Sequence, residues 1–383
     1  MYQKLCLSLA AKDANNLPEN EVNLIFSALE MVFRCPTIKR EEAFNSIGES
    51  LLAILFHVLE RCIGIDGDES DSIMSHVLQI LYYFSRVRPA ATEMVQNPCM
   101  MPCFIHIILG DKNDSIRAKA LVTLADLSCV EENGPIIAKH QVLLDAVVQV
   151  ASLDLALEMR EVATRAIQNI SFHIDDTIPK KELEDIIKTL VKIENEDGSK
   201  IKKYVAGALQ NLSTSKGNRG YFVTLHRGAV IQTIINLLRS DDADTKLRAI
   251  GAIKNLASPE STEILCSHKN FLQVLSSVAA NDVDAESKQN ACEALHWLSS
   301  ELNHPKPCHK DVLTALVQAA QRTDDASIAL ALLEQSYVPN NLGPMVAEPG
   351  LLDCLSRMAK PSAKSTPEVK EYAISALGNL ARR

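Results

Sequence analysis

The chain has 383 residues, 47% of them hydrophobic but only 4% aromatic, with 14 Gly; this balance favours helix over the aromatic, turn-rich chemistry of sheet proteins. Its 48 acidic and 39 basic residues give a net charge of −9, which supplies no long-range attraction for nucleic acid and argues against it as a partner. There is no uncharged apolar run of about 18 residues to span a bilayer, Met1-Tyr2-Gln3-Lys4 opens no signal peptide, and the ten Cys, among them Cys62, Cys129, Cys292 and Cys354, read as small buried hydrophobes, so a cytoplasmic or nuclear protein is expected.

In chain order, Leu5–Ala10 and Ala43–Ile47 are the first, weak echoes of a phrase that becomes clear further on. Ile80–Ser85 is its next copy, after which Pro98 and Pro102 punctuate the start of an apolar helix through Leu109. Six better copies follow at Thr123–Ser128, Ala166–Ser171, Ala208–Ser213, Ala252–Ala257, Ala294–Ser299 and Ala376–Ala381. The fourth position of the first five falls at 126, 169, 211, 255 and 297, in steps of 43, 42, 44 and 42. A period of that size predicts a stacked helical solenoid, a fold that extends without a single closed core.

Gly217 to Ala257 shows one unit most plainly. Asn218–Val223 with Leu225 predicts a short first helix, and Gly228 can take the left-handed conformation that closes it. Val230, Ile231, Ile234, Ile235, Leu237 and Leu238 recur at spacings of three and four, a second amphipathic helix ending at Arg239-Ser240. Asp241, Asp242 and Asp244 then offer N-cap oxygens and negative charge to a third helix over Thr245–Ala257. In that helix Ala252, Ile253 and Leu256 share a buried face, the small Ala letting neighbours approach closely.

Beyond Trp297, Ala331–Glu334 is a degenerate copy, and Pro305, Pro307, Pro339, Pro344 and Pro349 predict an irregular unit with long loops. Mobile loops are expected at Gly64–Asp71, Glu194–Lys200 and Lys360–Pro367. The expected domain is one solenoid over 1–383, with degenerate units in 1–63, the most regular in 64–300 and irregular ones in 301–383. Because the chain opens and stops on third-helix phrases, capping residues or a covering partner are expected at its ends.

The period near 42, the Gly-Ala turn before a hydrophobic second helix, and the Ala-Leu-x-Asn-Leu-Ser phrase together resemble the armadillo repeat family, best over Met100–Leu298 and Glu368–Ala381. The resemblance implies an all-α, right-handed α-α superhelix of about eight to nine three-helix repeats, whose third helices line a concave groove. It further implies a non-enzymatic scaffold or adaptor that binds extended peptide segments of partner proteins, with the fourth-position Asn bonding the peptide main chain. An amide offers both a donor and an acceptor, so a row of them can pair with an extended chain whatever its side chains are. Asn169, Asn211, Asn255 and Asn379 match that ladder, whereas Tyr83, Asp126, Trp297 and Glu334 depart from it. Each Asn can equally bond a neighbouring helix end inside the stack.

In nuclear-import adaptors the position four residues earlier is repeatedly Trp. Here it is Val122, Arg165, Gly207, Gly251, Glu293 and Ser375, so an import adaptor is disfavoured. Seven residues before the ladder stand Lys119, Val162, Tyr204, Arg248, Asn290 and Tyr372. With Arg165 these suggest a mildly basic floor suited to acidic, aromatic-containing peptides, as in catenin-like members, or ordinary solvated charges. Trp297, the single Trp, is either an exposed hot spot or buried between repeats.

No phosphate loop, dinucleotide fingerprint, nucleophile elbow or H-E-x-x-H is present, so neither an enzyme, a cofactor nor a small-molecule substrate is expected. His304, Cys308 and His309 lack the further pair needed for zinc, and Cys99 with Cys103 fits a helical core better than a metal. The alternative function is the substrate-recognition region of a larger ubiquitin ligase.

Overall fold

The computed structural model describes residues 25–27, 29–30, 33–34, 40–65, 67–110, 113–153, 156–175, 178–196, 199–258, 261–268, 270–301, 310–360 and 365–382. Leu5–Ala10, His304, Cys308, His309 and parts of all three expected mobile loops lie outside them. Among the described residues there is no strand, and no helix is long and apolar enough to cross a membrane. The chain divides into two compact units, Met1–Asp197 and Gly198–Arg383.

Unit 1 contains α1 (Arg40–Cys62), α2 (Asp68–Phe84), α3 (Arg88–Gln96), α4 (Met100–Leu109), α5 (Asp114–Leu127), α6 (Gly134–Ala138), α7 (Gln141–Leu153), α8 (Leu157–Ser171) and α9 (Lys180–Glu196). Two layers result. Third helices α2, α5 and α8 pack in succession, and α1, α4, α7 and α9 form the parallel row of second helices. The short α3 and α6 turn the chain between the layers. Ala43–Ile47, whose spacing resembles a third helix, lies in α1 and therefore in the second-helix row. The weak echo misleads because apolar residues at helical spacing serve either layer.

Unit 2 contains α10 (Ser199–Leu212), α11 (Arg219–Thr224), α12 (Ala229–Leu238), α13 (Ala243–Leu256), α14 (Thr262–Ser267), α15 (Phe271–Asn281), α16 (Ala285–Glu301), α17 (Lys310–Ala320), α18 (Ala326–Ser336), α19 (Pro339–Ala347), α20 (Leu351–Ala359) and α21 (Pro367–Ala381). Here α10, α13, α16, α18 and α21 are the stacked third helices and α12, α15, α17 and α20 the second. Of the prolines expected to break this part, Pro305 and Pro307 lie outside the described residues, Pro344 lies inside α19, Pro349 is in the turn before α20, and only Pro339 begins a helix. Pro339 and Pro367 occupy first turns, where a missing N–H costs nothing.

Local chemistry explains the boundaries. Asp242 caps α13 by accepting from the Thr245 amide at 2.8 Å and its hydroxyl at 2.6 Å, which holds its carboxyl below the ordinary range. Asn113 caps α5 and Asp325 caps α18 in the same way. Gly228 precedes α12 with φ 84°, Asn270 precedes α15 with φ 66°, and Gly350 precedes α20 with φ 83°. One left-handed turn thus launches three second helices. Gly228→Ala is expected to cost about 1–2 kcal/mol, the penalty of a Cβ in that conformation, since the Cβ would also meet the His268 ring at 3.2 Å. Asn270→Gly should gain up to about 1 kcal/mol by the same reasoning. Urea unfolding followed by Trp297 fluorescence checks both, and shifts of the same sign would refute the shared turn.

The first residue of each phrase is where the helices close up. Ala166, Ala208, Ala252, Ala294, Ala331 and Ala376 have no exposed surface, and their partners Ile167, Leu209, Ile253 and Leu295 are almost as deeply buried. Each of those larger side chains contributes about 1.5–3 kcal/mol on burial.

Candidate peptide-binding surface

The fourth position of the phrase has a consistent geometry. Its side chain reaches back to the C-terminal end of the preceding third helix. Asn169 Nδ2 donates to Ala125 O at 2.8 Å and contacts Cys129 Sγ at 3.0 Å. Asn255 Nδ2 donates to Gln210 O at 3.1 Å and Ser213 Oγ at 3.2 Å, and Asn379 Nδ2 donates to Ser336 Oγ at 2.9 Å. Asn211 is half-buried at the equivalent place on α10. The amide N–H groups of Asn169 and Asn255 are therefore occupied within the stack, and Oδ1 is the atom these side chains can offer a peptide N–H.

Where the ladder departs from Asn, the same backward reach persists with different chemistry. Asp126 takes Arg86 of α2's C-terminal turn at 3.0 Å and Arg165 of α8 at 3.4 Å. Arg86 also lies over the Tyr82 ring, 4.3 Å from its centroid. Glu334 accepts from His296 Nε2 at 3.1 Å and Ser300 Oγ at 2.7 Å. Trp297 is the exception: half its surface is exposed, and the His296 ring lies beside it, at 6.0 Å between centroids.

The row seven residues earlier is less basic than its composition suggests. Lys119 is half-buried and donates to Ser75 Oγ at 2.6 Å, and burial lowers its pKa. Arg165 is engaged with Asp126. In unit 2, Tyr204, Arg248 and Tyr372 are half-buried, while Asn290 bonds Glu286 O at 2.9 Å and meets Lys254. At the earlier Trp-slot positions, Gly251 makes room for Gln210, whose side chain a Cβ there would strike. On unit 1 the third helices bound two open clefts. One of about 570 Å³ is lined by Gln79, Tyr82, Lys119, Val122 and Met159, and one of about 530 Å³ by Arg86, Asp126, Cys129 and Glu131.

Sequence reasoning missed a second Asn position, seven residues after the ladder. Asn133 is fully buried and donates to Ala91 O at 3.0 Å and Leu127 O at 3.3 Å. Asn341, also fully buried, donates to Gln335 Oε1 at 2.8 Å, and Gln335 donates to Ser299 O at 3.0 Å. Their common offset from Asp126 and Glu334 was the available signal. Of the two cysteines weighed for a metal, Cys103 is buried with its thiol pushed up to about 12 by desolvation, so it keeps its proton.

No family model matches the chain, and no curated protein matches it. Solved structures do match in fold. A structure from work on a phosphorylation switch controlling the interaction between cadherin and beta-catenin covers 100% of this chain and 78% of its own, at 15% identity and a TM-score of 0.66. A designed armadillo repeat protein in complex with the peptide (KR)4 covers 64% of this chain and 99% of its own, at 19% identity and a TM-score of 0.53. Armadillo repeat proteins designed for modular peptide recognition match over 63% of this chain at 17% identity and a TM-score of 0.51. The fold of this chain is the all-α armadillo-repeat solenoid.

Proposed function

We propose that the chain is a non-enzymatic scaffold that holds extended segments of partner proteins against its third helices. Trp297 carries this reading. A large side chain with half its surface in water, placed where other repeats put a stack-bonding Asn, has the character of a binding hot spot. The acceptor oxygens of Asn169 and Asn255 add main-chain complementarity. Two neighbours in fold point the same way, the designed protein holding (KR)4 and the structure from the cadherin and beta-catenin interaction. A preference for acidic segments loses its basis, because Lys119 and Arg165 are already engaged inside unit 1.

The test uses peptides selected by display on the full chain and measured by fluorescence anisotropy. Trp297→Ala should weaken them about tenfold or more, the scale of a hot-spot truncation, with the urea midpoint by circular dichroism unchanged. Undiminished affinity in every selected peptide would sink the proposal. The triple replacement of Asn169, Asn211 and Asn255 by Ala is a poorer probe, since it strips stack bonds and lowers stability together with binding.

A further inference from the structure

The surroundings of Trp297 specify the chemistry of what it meets. Glu334 approaches α16 at the level of the indole, because its partners His296 and Ser300 immediately precede Trp297 and follow it by one turn. Both of those bonds fall on Oε2. Oε1 takes part in neither, and a third of the Glu334 side chain is exposed. Three residues beyond Glu334 on the same face, Tyr337 has 65% of its surface in water. A second carboxylate, Glu293, lies one helical turn before Trp297 and is 30% exposed, with Lys254 on its Oε2 at 2.5 Å.

Trp297 thus adjoins the α16 residues that Glu334 bonds, Tyr337 stands three residues beyond Glu334 at the end of α18, and both rings are exposed. The carboxylate between these helices bonds through Oε2 alone, and the local charge is negative: Glu293 and Glu334 against Lys254. Aromatic faces attract cations through their quadrupole, with best effect on Trp, and a nearby carboxylate adds Coulomb attraction in a partly desolvated site. An acidic side chain would meet repulsion from Glu334, and a purely apolar one would leave Oε1 to water. Building on the scaffold reading, we propose that α16 and α18 hold a cationic side chain of a partner segment, an Arg or Lys, between Trp297, Tyr337 and Glu334. Its aliphatic stem would lie along the indole and its charged head would donate to Glu334 Oε1.

Trp297 is the only Trp, so its emission reports this site alone. The full chain is titrated with short extended Ser/Leu peptides that differ only in the central residue, which is Arg, Lys, citrulline or Glu. Arg and Lys peptides should shift or quench the emission. Citrulline, which keeps the shape and loses the charge, should bind about tenfold more weakly, and Glu more weakly still. Glu334→Gln should cost the Arg peptide about five- to tenfold while leaving the citrulline peptide unchanged, and the Arg affinity should fall with added salt. Equal affinity for Arg, citrulline and Glu peptides would overturn the cation site and leave the scaffold standing. If display-selected segments bind but none of this series perturbs Trp297, the cation site is likewise refuted; if neither class binds, both proposals fall.

Discussion

Ala252→Leu is expected to cost unit 2 about 3 kcal/mol, at the upper end for inserting extra methylenes into a packed core. Ala252 has no exposed surface, and its helix α13 packs between α10 and α16. Three additional carbons have no route to solvent there without separating α13 from a neighbour. The small residue is also repeated at the same phrase position, as Ala208 in α10 and Ala294 in α16, both fully buried. The close approach is thus a property of the stack, and one widened interface disturbs the contact on each side. In a linear array stability is a sum of unit and nearest-neighbour terms, so loss at one interface spreads to adjacent units. Urea unfolding followed by Trp297 emission measures this directly, because Trp297 sits on α16. A loss below about 1 kcal/mol would mean that α13 has free space on this face, contrary to a packing density like that of an organic crystal.

The same positions show why so much of the fold was legible. Small-large-large spacing in Ala252, Ile253 and Leu256 can be satisfied only by a helix buried on one face, and Asp242 and Gly228 mark the helix starts by chemistry that does not depend on tertiary context. Ala43–Ile47 in α1 was misread because periodicity identifies a helix without identifying its layer. Pro339 misled differently, since a proline punctuates a sequence whether it interrupts a helix or begins one. The candidate surface was less legible than the fold. An Asn that pairs with a peptide and an Asn that pairs with the preceding helix present the same letter at the same spacing. Only coordinates reveal that Asn169 and Asn255 spend their N–H groups on Ala125 and Gln210. The charges behave alike, since a Lys at position 119 reads as groove floor until Ser75 is found against its ammonium group. Pairings of this kind run between residues more than forty apart in sequence, beyond the reach of any local pattern.

Asn133→Ala should destabilise unit 1 by about 2–3 kcal/mol, more than loss of any single ladder Asn, although position 133 has no surface with which to bind a partner. Its Nδ2 group supplies two carbonyls in different places, Ala91 O in α3 and Leu127 O at the end of α5. Removing it takes a donor from both where water does not reach, although Leu127 O keeps the Val130 amide at 3.2 Å, and an unpaired buried polar group costs about 1–3 kcal/mol. Asn169, by contrast, lies half-buried, and its deletion leaves Ala125 O still accepting from Ser128 Oγ at 2.8 Å, so it should cost about 1 kcal/mol. The comparison separates two uses of one residue type: at the ladder the amide joins adjacent third helices at a surface still able to meet a partner, whereas seven residues later it fastens α6 to the repeat before it. Hydrogen exchange on unit 1, together with urea unfolding by circular dichroism, distinguishes them. Faster exchange in α3, α5 and α6 is expected for Asn133→Ala, and a change confined to the α5–α8 contact for Asn169→Ala. Equal losses from the two variants would mean that burial adds nothing to the cost of an unpaired carbonyl in this stack, and the buried Asn would then be no more a fastening than the ladder.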